Sequence, residues 1–151
     1  MFSYAASVEV NPPGTEVVLS HEQLWRALEL KAENPVAFVP GMETCKIVER
    51  FDDGFLREAI LRGKPLIERI TYTAPVMVHF ERKNSVGWIT NTISESSRGL
   101  VLTFCFSVAF PDVEPGSQEE KERGVRMKGG YMQAVETTLA EARRRAVANI
   151  L

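Results

Sequence analysis

Leu100-Val101-Leu102-Thr103-Phe104-Cys105-Phe106-Ser107-Val108-Ala109-Phe110 alternates without a break. Leu102, Phe104, Phe106, Val108 and Phe110 share one side; Thr103, Cys105, Ser107 and Ala109 take the other. A period of two with so unequal a pair of faces describes a strand with one side in a core. The segment C-terminal to it decides the fold. Pro111 to Gly116 is a loop, Ser117 and Glu120 have the spacing of a capping box, and no proline comes after. Tyr131, Val135, Thr138-Leu139, Ala142, Ala146 and Ile150 then recur at three or four positions. The pattern predicts a C-terminal helix of roughly 30 residues, about 45 Å at the standard rise and long enough to cross a small domain.

Upstream lie five more strand-like runs with no convincing helix between them: 42–51, 55–61, 65–73, 76–83 and 86–94. Asp53-Gly54 and Asn84-Ser85 have hairpin-turn chemistry, and Pro65 and Pro75 sit where strands begin. Earlier still, Phe2, Tyr4, Ala6, Val8 and Val10 alternate with Ser3, Ala5, Ser7 and Glu9, a half-buried strand that Asn11-Pro12-Pro13-Gly14 ends. Ser20 with Gln23 is another capping box, opening a helix whose Leu24, Trp25, Leu28 and Lys31-Ala32 fall on one face. Asn34-Pro35 stops it, and Val36-Ala37-Phe38-Val39 reads as a short apolar turn or a second helix before Pro40-Gly41.

The order is strand, one or two short helices, six antiparallel strands, long helix. That is an α+β domain spanning 1–151, a curved seven-stranded antiparallel sheet wrapped around the C-terminal helix. A strongly twisted sheet curls, so the helix closes a concave grip with space for a ligand between the layers. With 151 residues, 44% apolar, 25% charged and a net charge of −2, the chain has an ordinary globular composition and no broad positive field for nucleic acid. Arg143-Arg144-Arg145 is the one basic cluster and suits the last turns of a helix. No run approaches the ~20 apolar residues of a membrane span. Met1-Phe2-Ser3-Tyr4 does not open a secretory signal, so a cytoplasmic location is expected. Cys45 and Cys105 then read as small buried side chains, not a disulfide.

The early Trp25 helix, the Asp53-Gly54 hairpin, Pro75-Val76-Met77-Val78-His79-Phe80, Gly87-Trp88, Leu102-Thr103-Phe104-Cys105-Phe106 and the segment 131–145 together resemble a known pattern. It is the helix-grip fold of the START and birch-pollen-allergen-like superfamily (SRPBCC), and within it the AtaL-like family of ligand-binding domains. The resemblance implies a hydrophobic cavity and no universal active-site motif. It speaks to shape and not to chemistry. A cone-shaped, lyase-like α+β fold is the alternative, but it places its helices first.

A two-residue turn at Asn84-Ser85 pairs Phe80 with Ile89, Val78 with Asn91 and Val76 with Ile93. A second at Ser96-Ser97 continues the same face into Leu102, Phe104 and Phe106. These residues are the expected cavity wall. Asn91 is then either a satisfied buried amide or a polar group that orients ligand. His79, Glu81, Trp88 and Thr90 fall on the convex side. For 65–73, Pro75 hides the turn, and either Leu66, Glu68, Ile70 and Tyr72 or Ile67, Arg69 and Thr71 face inward. A buried Glu68 is a candidate general base, with a structural Glu68–Arg pair the plainer reading. Gly124, Gly129 and Gly130 weaken the long helix by about 1 kcal/mol each relative to alanine. They mark a kink, a late start, or room for a ligand beneath a lid. Gly130, Tyr131 and Val135 are assigned to the ligand site, and the Tyr131 hydroxyl is a second candidate catalytic group.

No metal or cofactor is expected. Two histidines, His21 and His79, offer no HExxH-like spacing, and no GxSxG elbow, phosphate loop or dinucleotide fingerprint occurs. The expected partner is a small hydrophobic or aromatic molecule, and a homodimer is left open. Two other classes stay in view. One is an enzyme of cyclase, isomerase or dehydratase type using the same cavity; the other is a co-chaperone-like interaction domain.

Overall fold

A computed structural model describes residues 1–151. The Asn11–Leu19 loop after β1 (Phe2–Glu9) leads to α1 (His21–Glu33), whose N-terminus is a complete capping box. Ser20 Oγ accepts from the Gln23 amide at 3.1 Å, and Gln23 Oε1 accepts from the Ser20 amide at 3.0 Å. The apolar turn after α1 is a single 3₁₀ turn, Pro35–Ala37. The six-strand run comes next: β2 (Met42–Phe51), β3 (Gly54–Leu61), β4 (Lys64–Thr73), β5 (Met77–Arg82), β6 (Gly87–Ser96) and β7 (Gly99–Val108). The chain ends with α2, Gln118–Val147.

Consecutive hairpins build the sheet in the order β1-β7-β6-β5-β4-β3-β2, every neighbour antiparallel. The first strand lies against the last, with Phe2 opposite Val108 and Glu9 opposite Val101. Three turns set the register. Asn84-Ser85 centres the β5–β6 connection as expected, placing Phe80 opposite Ile89 and Val78 opposite Asn91. The β6–β7 turn is one residue later than expected, Ser97-Arg98 in place of Ser96-Ser97, because Ser96 pairs with Gly99. The shift moves each partner by two positions and so keeps the face: Ile93, Asn91 and Ile89 oppose Leu102, Phe104 and Phe106. The β2–β3 turn is Asp52-Asp53, one residue before the expected Asp53-Gly54. Gly54 opens β3 instead, where a Cβ would overlap the Ile70 carbonyl oxygen.

The face of β4 left open by the sequence is settled by its pairing. Leu66, Glu68 and Ile70 are buried, and Thr73 opposite Met77 fixes the strand on β5. Val78, Ile93, Leu102 and Phe104 join Leu24, Leu28, Phe38, Phe55, Val135 and Leu139 in one continuous apolar core. The cover over the sheet is shared, not left to the long helix alone. α2 packs on β1, β7 and α1, while α1 packs on β2, β5 and β6. α2 runs unbroken through its three glycines, so they mark neither a kink nor a late start. Its buried residues are Glu120 and Gly124 near one end and Val135, Thr138, Leu139 and Ala142 toward the other. Between them the helix bridges open space on the side of Arg126, Met127 and Gly130, while Tyr131 packs on Phe106. Ser117 caps it by accepting from the Glu120 amide at 3.2 Å, but Glu120 turns to the Gly116 amide and the N-terminal ammonium and does not close a box.

Candidate functional site

Beneath that bridge lies a cavity of about 420 Å³. Its floor comes from α1 and the middle strands. Lys31 projects from the last turn of α1, Arg57 from β3, Glu68 from β4, Phe80 from β5, Asn91 from β6 and Phe104 from β7. All of these are buried. The mouth is formed by exposed residues: Pro40, Arg62, Arg126 and Gly130. Among the charged lining residues, Lys31, Arg57, Arg62, Arg82 and Arg126 face a lone carboxylate, Glu68. A chain of net charge −2 thus keeps a positive cavity.

The Arg57–Glu68 pair is held by the sheet itself. The two residues are directly opposite in the β3–β4 ladder, and Arg57 Nε and Nη2 donate to Glu68 Oε2 at 2.9 and 2.6 Å. Arg57 Nη1 also donates to the Ala32 carbonyl at 2.6 Å and the Lys31 carbonyl at 3.4 Å. One guanidinium therefore satisfies a buried carboxylate and the orphan carbonyls at the end of α1. Glu68 is the structural partner of an arginine, engaged at the centre of the floor.

Lys31 and Asn91 are engaged much less completely. Lys31 Nζ donates to Asn91 Oδ1 at 2.7 Å, with the Phe80 and Phe104 ring centres 4.9 and 4.8 Å away. That is one acceptor for a group which, as an ammonium, carries three donors. The amide nitrogen of Asn91 is buried with no partner. Burial first, and the nearby Arg57 charge second, lower the Lys31 pKa to about 7 against a partial rescue by Glu68. Near neutrality the amine is divided between its charged and neutral forms.

Phe80, Ile89, Asn91, Phe104, Gly130 and Tyr131, all assigned to the ligand site from sequence, line the cavity. Val78, Leu102, Phe106 and Val135 do not; they are fully buried beside it. Phe106 stacks on Tyr131 at 3.6 Å between ring centres and meets Phe2 and Tyr4 on its other sides. Burial raises the Tyr131 pKa, so its phenol stays protonated at neutral pH. A methyl at Gly129 or Gly130 would meet nothing within 4 Å, so neither glycine is required by close helix–sheet packing. The tightly packed glycine is Gly124, where a Cβ would overlap the Phe2 ring. His79 lies against Trp88 on the convex face, and His21 Nε2 sits 2.7 Å from the Pro75 carbonyl. Cys45 and Cys105 are free thiols, half-buried where full burial was expected. Nowhere do three His, Cys, Asp or Glu side chains converge. No helix is long and apolar enough to cross a membrane.

Lys31 and Arg57 are two residues of the floor that sequence did not assign to the site. Each had a signal. Lys31 interrupts the apolar stripe of α1, and Arg57 occupies the inward phase of Phe55, Ala59 and Leu61. The turn Arg62-Gly63, both residues at positive φ, pairs Leu61 with Lys64 and brings Arg57 opposite Glu68.

The sequence profile of AtaL, acetylaranotin biosynthesis cluster protein L, matches residues 4–149. The chain belongs to the AtaL family. Acetylaranotin biosynthesis cluster protein L of Aspergillus terreus is 27% identical over 124 residues, covering 80% of this chain and 74% of that relative. Among solved structures, the ZhuI aromatase/cyclase from a Streptomyces species superposes with a TM-score of 0.63 at 13% identity, covering 96% of this chain and 94% of that one. The di-domain aromatase/cyclase StfQ of the steffimycin pathway gives 0.69 at 12% identity, over 96% of this chain and 52% of that one. Ara h 8.0201 gives 0.55 at 12%, over 93% and 98%. At such identities the structural likenesses establish the helix-grip fold of this AtaL-family chain and no more.

Proposed function

We propose that this protein binds a small hydrophobic or aromatic molecule in the cavity between sheet and α2, with an oxygen of that molecule seated at the Lys31–Asn91 floor. One observation carries the reading. In a cavity whose lining includes Phe80, Phe104, Ile89, Leu66 and Tyr131, the Asn91 amide nitrogen is buried without an acceptor and Lys31 has only one. Buried donors are satisfied in native proteins, and a ligand oxygen would satisfy these. The volume suits a small organic molecule. Native mass spectrometry of the purified protein should show a co-purifying species of a few hundred daltons, or uptake of an added apolar fluorophore such as Nile red. Absence of both would reject the reading.

An enzyme of cyclase type is the second reading, favoured by the aromatase/cyclase structures that share the fold and by a lysine placed inside the cavity. The two separate on one measurement. A carrier returns its ligand unchanged after incubation, whereas an enzyme returns a product of altered mass or chromatographic mobility. A reducing, cytoplasmic setting fits two cysteines that remain free.

A further inference from the structure

We propose that Lys31 is a carbonyl-capturing amine, forming a Schiff base with an aldehyde or ketone held in the cavity. The inference rests on the cavity reading and names the functional group its ligand presents. Four features of the floor support it. Lys31 is buried yet lines the cavity, and its Nζ lies beside the lining residues Asn91, Phe80 and Phe104 and not in bulk water. Its sole hydrogen-bond acceptor, Asn91 Oδ1, is uncharged and can also accept from the neutral amine, which leaves the nitrogen lone pair free. The one carboxylate of the cavity is engaged by Arg57 and forms no ion pair with Lys31, so it only partly offsets the burial of the amine. Finally, the Asn91 amide nitrogen is an unfilled donor beside the amine, where it can receive the oxygen of a carbonyl under attack.

The charged groups around the amine pull in both directions, with burial and Arg57 ahead of Glu68. Arg57 from β3 disfavours a second positive charge, and Glu68 from β4 opposes it but is paired; Arg62 after β3, Arg82 from β5 and Arg126 from α2 are the other cations lining the same space. Tyr131 from α2 is neutral, its pKa raised by burial. Consistent with this, the Lys31 pKa is lowered to about 7, which leaves about half the amine free at neutral pH. In the reaction the Nζ lone pair attacks the carbonyl carbon, forming the C–N bond while the C=O π pair moves to oxygen. A proton passes from nitrogen to that oxygen, giving a carbinolamine. A second proton, from water, lets the oxygen leave as water while the nitrogen lone pair forms the C=N bond, and the resulting iminium returns its N–H proton to the hydroxide. Carbonyl plus amine yields imine plus water, with no oxidant or reductant consumed.

The test uses the full chain, cinnamaldehyde and sodium cyanoborohydride at pH 7, with the adducts located by peptide mass mapping. The expected result is one stoichiometric adduct at Lys31, formed on the order of tenfold or more faster than at the exposed Lys46, Lys64, Lys83, Lys121 or Lys128. Its rate should rise through pH 7 and level off above about pH 8. Lys31→Met should lose the adduct while keeping the wild-type circular-dichroism spectrum and cooperative unfolding, showing that the fold persists. Adducts confined to the exposed lysines, in a wild-type chain that binds Nile red, would overturn the proposal and leave Lys31 a hydrogen-bond donor only. Failure of the wild type both to bind Nile red and to form the adduct would overturn the cavity reading together with it.

Discussion

The inner face of the sheet carries two buried regions built on opposite physics. Toward β1 and β7, Phe106 is enclosed by the Phe2, Tyr4 and Tyr131 rings, and Val135, Leu139 and Ala142 of α2 share one apolar core with Leu102 and Val10. Burial there stabilises the chain directly, at about 25 cal/mol per Å² of apolar surface. Toward β3–β6, the same depth holds Lys31, Arg57, Glu68 and Asn91. Removing these groups from water costs several kcal/mol per ion, which ladder geometry and helix-end carbonyls offset only for Arg57 and Glu68. The first region stabilises the second, and the incompletely satisfied part of the second is where ligand chemistry is proposed. α2 makes the division visible, since it is buried near both ends and spans the gap between them.

The comparison breaks most sharply under truncation. Phe106→Ala, in the apolar region, should lower stability by about 3–5 kcal/mol by chemical denaturation, through lost burial and an unfilled cavity. Arg57→Ala should cost a similar 3–5 kcal/mol or so, for a different reason: Glu68 and the α1 carbonyls are left buried without a partner. The double variant Arg57→Met/Glu68→Leu separates the causes, because it should recover most of the Arg57 loss. No second substitution on Phe106's neighbours can do the same. A double variant no better than Arg57→Ala would show that packing, not uncompensated charge, dominates the polar region too.

A smaller, pH-dependent effect sharpens the contrast. The Lys31 pKa is lowered from 10.5 to about 7 in the folded state, so between those values the unfolded chain binds the extra proton. Stability must then rise with pH from about 7, at up to about 1.4 kcal/mol per unit, and the destabilisation is fully present below pH 7. Burial raises the Cys45, Tyr72 and Tyr131 pKa values, and these groups oppose the gain at higher pH. The difference between wild type and Lys31→Met over pH 7–9 isolates the lysine, and a flat difference would mean that the amine is not desolvated as described.

The smallest effects distinguish the glycines of α2. Gly124→Ala presses a methyl onto Phe2 and should destabilise by about 1–3 kcal/mol. Gly130→Ala enters open space and should stabilise by roughly 0.5–1 kcal/mol through helix propensity. Weakened Nile red affinity in the stabler Gly130→Ala variant would show that the bridging segment bounds the ligand space.

Much of this was legible in the sequence because strand faces follow a parity rule. Once Asn84-Ser85 fixes a turn, Phe80, Ile89 and Asn91 fall on one side, and even the one-residue error at Ser97-Arg98 preserved the face. The α1 capping box and the α2 span were equally local, set by side chains three residues apart and an uninterrupted apolar period. Parity names a face but not the neighbour that reaches it from a distant element. That Phe106 meets Tyr131 while Phe104 meets Lys31 depends on how far the sheet coils and where each helix lands. The pairing of β1 with β7 belongs to the same class, since it joins the two ends of the meander. So the sequence by itself determined the elements, their order and the inward face. Only the tertiary structure decided that a lysine from α1, an amide from β6 and an arginine–glutamate pair from β3 and β4 share one cavity. The reason is physical: local propensity acts over a few residues, whereas desolvation and charge proximity exist only once distant segments have packed.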